Sequence, residues 1–205
     1  MNHPPLLKAI NLRCIRDDRI LFADLSFSLH EGQALLLEGR NGSGKTSLLR
    51  ILCGFREADE GRILWHGESI QDSRYRSDMT YVGHLDGIKK ELTVLENLKV
   101  SLALKSPGPY TIEAALSRVQ LAGYDNIPAQ SLSAGQKRRL SLARLLITHN
   151  RLWILDEPFT SIDREGIRLI ETLMSEHCAK GGMIVLTSHH EIDLHGIDVQ
   201  RVRLS

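Results

Sequence analysis

The chain has 205 residues, 42% of them hydrophobic and 25% charged, which is the composition of one globular domain large enough to bury a sizeable core. Its formal net charge is +1, with acids and bases spread along the length, so no polybasic surface points to nucleic acid as the main partner. The longest aliphatic or aromatic runs, such as 34–37 and 152–155, fall far short of the roughly 18 residues that span a bilayer. No secretory pattern is visible in Met1-Asn2-His3-Pro4-Pro5, so the cytoplasm is the expected compartment. Cys14, Cys53 and Cys178, an odd number without close pairing, suit reduced thiols in a core.

Residues 6–12 and 20–29 alternate apolar and polar positions and include β-branched and aromatic side chains, which predicts antiparallel strands with one covered face. Ala34-Leu35-Leu36-Leu37 is instead a continuous apolar run ending in glycines, as a strand buried on both faces should be, and 45–53 then carries a helical repeat. Between this strand and helix lies Gly39-Arg40-Asn41-Gly42-Ser43-Gly44-Lys45-Thr46, the full P-loop pattern in its required context. The glycines allow backbone N–H groups to turn inward around phosphate oxygens, and the helix start adds its positive dipole end. Lys45 is expected to reach the β and γ phosphates of ATP, Thr46 to offer its hydroxyl to Mg²⁺, and Ser47 to bond a phosphate oxygen.

From 92 to 148 no convincing strand is visible, only helical segments interrupted at Pro107-Gly108-Pro109 and Ile127-Pro128, which predicts a helical subdomain within a single domain over 1–205. Inside it, Leu132-Ser133-Ala134-Gly135-Gln136 contains a capping box, Ser133 with Gln136, that would start a helix and present free N–H groups to an anion. Leu152-Trp153-Ile154-Leu155 then reads as a buried strand ending in Asp156-Glu157-Pro158. That placement puts two carboxylates at the carboxyl edge of a sheet, beside the P-loop. Asp156 is expected to help hold Mg²⁺, and Glu157 to orient or deprotonate the attacking water. A helix over 164–179 and a buried strand over 183–186 complete a βαβ crossover, with His189 just beyond the strand.

Leu132-Ser133-Ala134-Gly135-Gln136 resembles the signature segment of ABC ATPases. Phe159-Thr160-Ser161-Ile162-Asp163 matches that family's D-loop region, and Thr187-Ser188-His189 its switch-histidine region. The resemblance covers essentially the whole chain. It implies an α/β fold with an antiparallel β subdomain, a RecA-like mostly parallel core sheet and the inserted helical subdomain. It also implies a homodimer in which Ser133, Gly135 and Gln136 of one copy face the γ phosphate held by the other. His189 is preferred over the adjacent His190 as the γ-phosphate histidine, since it is the first histidine after the strand.

Two positions depart from the family pattern. Tyr81-Val82-Gly83-His84 puts a histidine where ABC ATPases usually carry a glutamine; its imidazole could still accept from a metal-bound water or donate to a nucleotide phosphate, but its charge, unlike glutamine's, depends on pH. The aromatic platform for adenine is missing near Cys14-Ile15-Arg16-Asp17-Asp18-Arg19. There Arg16 offers either a stacking plane for the purine or a solvated hairpin charge. These departures, the segment from Gly83 to Thr93, and the compact length without a C-terminal regulatory domain resemble the ATP-binding subunits of bacterial cytochrome c maturation. Such a subunit would sit peripherally on the cytoplasmic face of the inner membrane, bound to integral membrane subunits of the maturation system, and would power haem export or release of a haem-loaded chaperone. The alternatives are the ATPase subunit of another ABC exporter, and a soluble ABC-fold ATPase without a membrane partner.

Overall fold

The computed structural model describes residues 5–84, 86–189, 192, 194 and 196–204. Two sheets organise the chain. Strands β1 (Leu7–Arg16), β2 (Arg19–Leu29), β4 (Glu60–Trp65) and β5 (Glu68–Ser69) form the antiparallel one, in the order β2-β1-β4-β5. Strands β3 (Gln33–Gly39), β6 (Met79–Val82), β7 (Leu152–Asp156), β8 (Met183–Thr187) and β9 (Asp198–Leu204) form the other, all parallel, in the order β6-β7-β8-β3-β9. Parallel strands require crossovers, and helices supply them on the way from β3 to β6, from β6 to β7 and from β7 to β8.

The continuous apolar runs are explained by the two faces of the parallel sheet. Leu35, Leu37, Leu152, Ile154, Met183 and Val185 pack toward helix α1 (Lys45–Leu52) and the antiparallel sheet. Their alternates Leu36, Trp153, Leu155, Ile184 and Leu186 pack into a second core built with the remaining helices. A strand covered on both faces has no polar alternate to show, so its sequence reads as unbroken hydrophobicity. By contrast, β4 and the edge strand β9 are partly exposed and carry charges, and neither was visible as a strand in the sequence.

Helix α2 (Ser73–Asp78) leads into β6, and between β6 and β7 run α3 (Val94–Leu104), α4 (Ile112–Arg118) and α5 (Ala134–Ile147). Thr93 and Ser133 each close a full capping box, so both α3 and α5 start where a side chain satisfies the first orphan N–H groups. Among the described residues of 92–148 there are helices and two isolated bridges but no strand. Helix α6 (Arg164–Ala179) returns the chain from β7 to β8. No helix among the described residues is long and apolar enough to cross a membrane.

Candidate functional site

The carboxyl ends of β3, β7 and β8 meet in one cleft of about 600 Å³. Its floor is the loop between β3 and α1. Gly39 opens this loop at φ 151°, where an added Cβ would lie 2.4 Å from Ser43 Oγ and 2.5 Å from the Leu204 carbonyl. Gly44 caps α1 at φ 102°, in the left-handed region that an L side chain resists. The loop therefore turns back on itself and presents the first N–H groups of α1, with Asn41, Gly42, Gly44, Thr46 and Ser47 lining the cleft. Lys45 is 8% exposed, and its ammonium donates to the Gly39 carbonyl at 2.7 Å and the Arg40 carbonyl at 3.3 Å. Those carbonyls hold the cation over the loop.

Opposite the loop, Asp156 is 5% exposed at the last position of β7. The Thr187 hydroxyl, at the end of the neighbouring β8, donates to Asp156 Oδ1 at 2.8 Å and accepts from the Glu157 N–H at 2.9 Å. Thr46 Oγ1 lies 3.4 Å from Asp156 Oδ2. This pair of hard oxygen donors suits a magnesium ion, which keeps several waters and shares substrate phosphates. Among the described residues no group of three or more His, Cys, Asp or Glu forms a protein cage for a metal. Tyr81, on β6, lies close enough to Asp156 that burial first, and then this carboxylate, push its phenol up to about 12.

Glu157 adopts φ 50°, a left-handed backbone that is costly for a residue with a Cβ and is found where strain serves a site. Its carboxylate is 19% exposed and lies 3.4 Å from His189 Nε2. Arg16 also lines the cleft, with its guanidinium 3.6 Å from the Asp17 carboxylate. His84 does not line the cleft. It is exposed on the loop after β6, whose Gly83 carbonyl is held by Arg138, so the ring stands apart from the cradle in this arrangement. His190 and Leu85 lie outside the described residues.

Ser133, Gly135 and Gln136 form a second cleft with Ser161, Asp163 and Arg139. Ser133 Oγ accepts from the Gln136 N–H at 3.2 Å, and Gln136 Oε1 accepts from the Ser133 N–H at 2.9 Å. Asp163 accepts from the Gly166 N–H and pairs with Arg139 at 3.2 Å, and both contacts hold its carboxyl below the usual range. This cleft shares no lining residue with the one around Lys45. Reading the sequence brought out the cradle, both carboxylates and the capped helix. It did not bring out Thr187 as a carboxylate partner, nor Tyr81 or Arg138, because each acts across elements far apart in the chain.

A glycine cradle at a helix start, with a hydroxyl, two carboxylates and a histidine gathered at the carboxyl edge of a parallel sheet, defines a P-loop ATP-binding domain. Residues 22–160 match the ABC transporter family, and the chain belongs to that family as one of its ATPases. Along its whole length and the relative's whole length it is 49% identical to the cytochrome c biogenesis ATP-binding export protein CcmA of Methylococcus capsulatus. It is 45% identical to the protein of the same name from Vibrio cholerae, over 97% of this chain and 98% of that one. Among solved structures, the ATP-binding subunit of an ABC transporter superposes with a TM-score of 0.81 at 26% identity, covering 90% of this chain and 79% of the other. A nucleotide-free ATP-binding cassette from an ABC transporter gives a TM-score of 0.76 at 25% identity, covering 91% and 82%.

Proposed function

We propose that this chain is the ATP-hydrolysing subunit of a membrane complex for c-type cytochrome biogenesis, coupling turnover to haem export or to release of a haem-loaded chaperone. One observation carries the reading: a chain 49% identical from end to end to a cytochrome c biogenesis ATP-binding export protein gathers Lys45, Thr46, Asp156, Glu157 and His189 in a single cleft.

In this reading the loop from Gly39 to Thr46 receives the phosphates on its backbone N–H groups, and Lys45 leaves the carbonyls of Gly39 and Arg40 for the β and γ phosphates. Thr46 and Asp156 hold magnesium, which when bound neutralises charge developing on the phosphates. Glu157 accepts a proton from the water whose oxygen attacks the γ phosphorus. The bond to the bridging oxygen breaks, and ADP departs with its electron pair. His189, 3.4 Å from that carboxylate, donates to the γ phosphate. Arg16 supplies a plane for the adenine from the rim.

Ser133, Gly135 and Gln136 lie in a different cleft from Lys45, which favours a head-to-tail homodimer with each nucleotide between one copy's cradle and the other's capped helix. The integral membrane partner is assigned to the side of the His84 loop. There a groove of about 210 Å³ lined by Gly87, Lys89 and Val100 carries Leu104 at 79% exposure, and Phe55 is 66% exposed beside Tyr81. The test combines light scattering on Glu157→Gln with ATP or ADP and co-purification of a Leu104→Asp variant with the membrane subunits. The expected results are an ATP-dependent dimer that Ser133→Arg abolishes, and loss of the membrane subunits from Leu104→Asp. A monomer with nucleotide bound under every condition would remove the homodimer held by ATP, and unchanged co-purification would remove the groove.

A further inference from the structure

Arg138 lies one turn beyond the capped start of α5 and is 3% exposed. Nε donates to the Pro158 carbonyl at 3.1 Å. Nη2 donates to the Asp156 carbonyl at 2.9 Å and the Glu157 carbonyl at 2.7 Å. Nη1 donates to the Gly83 carbonyl at 2.7 Å and to Asp86 Oδ1 at 3.2 Å. A guanidinium has five N–H donors, and every one of these is used. The acceptors fall into two groups: three consecutive carbonyls of the segment that bears the carboxylates, and the loop on either side of His84.

The three carbonyls bracket the strained residue. The N–H of Glu157 is held by Thr187, its carbonyl by Arg138 and by the Thr160 N–H at 3.2 Å, and the carbonyls before and after it by the same guanidinium. A left-handed backbone at a residue with a Cβ persists only where its surroundings over-determine it, and Arg138 makes three of the hydrogen bonds that do so here. Lysine in its place would bring the charge but only three donors on a flexible stem, without the planar fork that meets consecutive carbonyls. Tyr81 and His189 approach the carboxylates through side chains, whereas Arg138 acts on the backbone that aims them.

We propose that Arg138 is a positioning residue for the reaction: it fixes the backbone of Glu157, and through Gly83 and Asp86 it ties that position to the loop bearing His84 and to the helix beginning at Ser133. The inference rests on Glu157 being the group that activates water. A displacement of Glu157, or a shift in the His84 loop, then alters turnover without touching the phosphate cradle.

The experiment uses the full chain with Mg²⁺ and ATP, and measures kcat, KM, equilibrium ATP affinity and the thermal midpoint for wild type, Arg138→Lys, Asp86→Asn, Glu157→Gln and the Arg138→Lys/Glu157→Gln double variant. Misplacing a catalytic group by about 1 Å costs on the order of 100-fold, so Arg138→Lys is expected to lower kcat by about 10- to 100-fold with ATP affinity within about 3-fold of wild type. Asp86→Asn, at a partly exposed position, removes the charge of one acceptor and leaves the other four, and is expected to lower kcat by about 3-fold with an unchanged thermal midpoint. In the double variant the Arg138 change is expected to add nothing to the loss from Glu157→Gln, since a misaimed group that is already inactive cannot be lost twice. Wild-type kcat in folded Arg138→Lys, parallel losses in kcat and ATP affinity, or additive losses in the double variant would each overturn the proposal. If Arg138→Lys does not fold, Asp86→Asn decides, and wild-type kcat there overturns it. Full turnover in Glu157→Gln would instead show that the assignment of the water-activating group, on which this inference rests, is wrong.

Discussion

At their carboxyl ends, β7 and β8 carry Asp156 and Thr187, next to a glutamate held at φ 50° and a lysine folded over its own loop. Toward their amino ends the same strands are secured by packing. The rings of Trp153 and His177 stack with centroids 3.9 Å apart and planes 11° from parallel, beside a half-open cavity of about 290 Å³. Tyr110, at the rim, has the Arg118 guanidinium 5.0 Å and the Lys180 ammonium 5.5 Å from its ring centre. Burial pushes the His177 imidazole down to about 4, so here a titratable ring is kept neutral and stacks flat on Trp153. One end of the sheet thus holds polar groups in positions they would not adopt alone, and the other end supplies packing that lets the fold tolerate it.

That contrast can be broken most decisively at the reactive end. Glu157→Gln keeps the side-chain shape and removes the basic oxygen, and steady-state hydrolysis should fall by about 1,000-fold, or about 4 kcal/mol in the barrier. ATP binding and the melting curve should stay near wild type. Lys45→Ala should lower turnover comparably and weaken ATP binding as well, because the cation proposed to meet the phosphates is gone. If either variant hydrolysed ATP at the wild-type rate, the cleft would not be where the chemistry occurs.

At the packing end, Trp153→Ala should cost about 3 kcal/mol of unfolding free energy, from lost burial and the cavity left beside His177. Urea denaturation checks this, and kcat per folded molecule should not change. An equal loss of kcat would mean that the two ends are coupled and the contrast is too sharp.

The same end predicts a pH effect. The His177 imidazole titrates near 6.5 in the unfolded chain and near 4 in the fold. Between those values the unfolded chain binds more protons, so the contribution of a neutral His177 is complete above about pH 6.5 and is lost as the pH falls toward 4. Over that window the native protein should lose on the order of 2 kcal/mol more than His177→Phe, which keeps a ring against Trp153 but cannot ionise. Parallel stability curves for the two proteins would show that the ring ionises as freely in the fold as outside it.

The smallest effect returns to Glu157. Replacing it with glycine removes the Cβ that the left-handed backbone disfavours, and should raise unfolding stability by about 1 kcal/mol while eliminating turnover. A less stable glycine variant would mean that the Glu157 side chain contributes more to packing than its backbone strain removes.

What could be read from the residues alone was what short-range spacing dictates. The P-loop between a buried strand and a helix, the adjacent acids after 152–155, the helix over 164–179 and the capping box at Ser133 each depend on neighbours within about a turn or a strand, where backbone geometry is set locally. Strands β4 and β9 escaped notice because exposed and edge strands carry charges in place of an apolar run. The family pattern marked His84 as a candidate for the nucleotide, yet here the ring stands outside the cleft, because its loop is anchored through Gly83 and Asp86 to a guanidinium more than fifty positions later. Arg138 itself looks like one more charge in Lys137-Arg138-Arg139, and only the meeting of α5, the end of β7 and the loop after β6 buries it with five acceptors. Local chemistry, then, was settled by the order of residues, whereas the aim of Glu157 and the reach of Arg138 were decided by tertiary packing, because a hydrogen bond between distant segments leaves no period or spacing in a single chain.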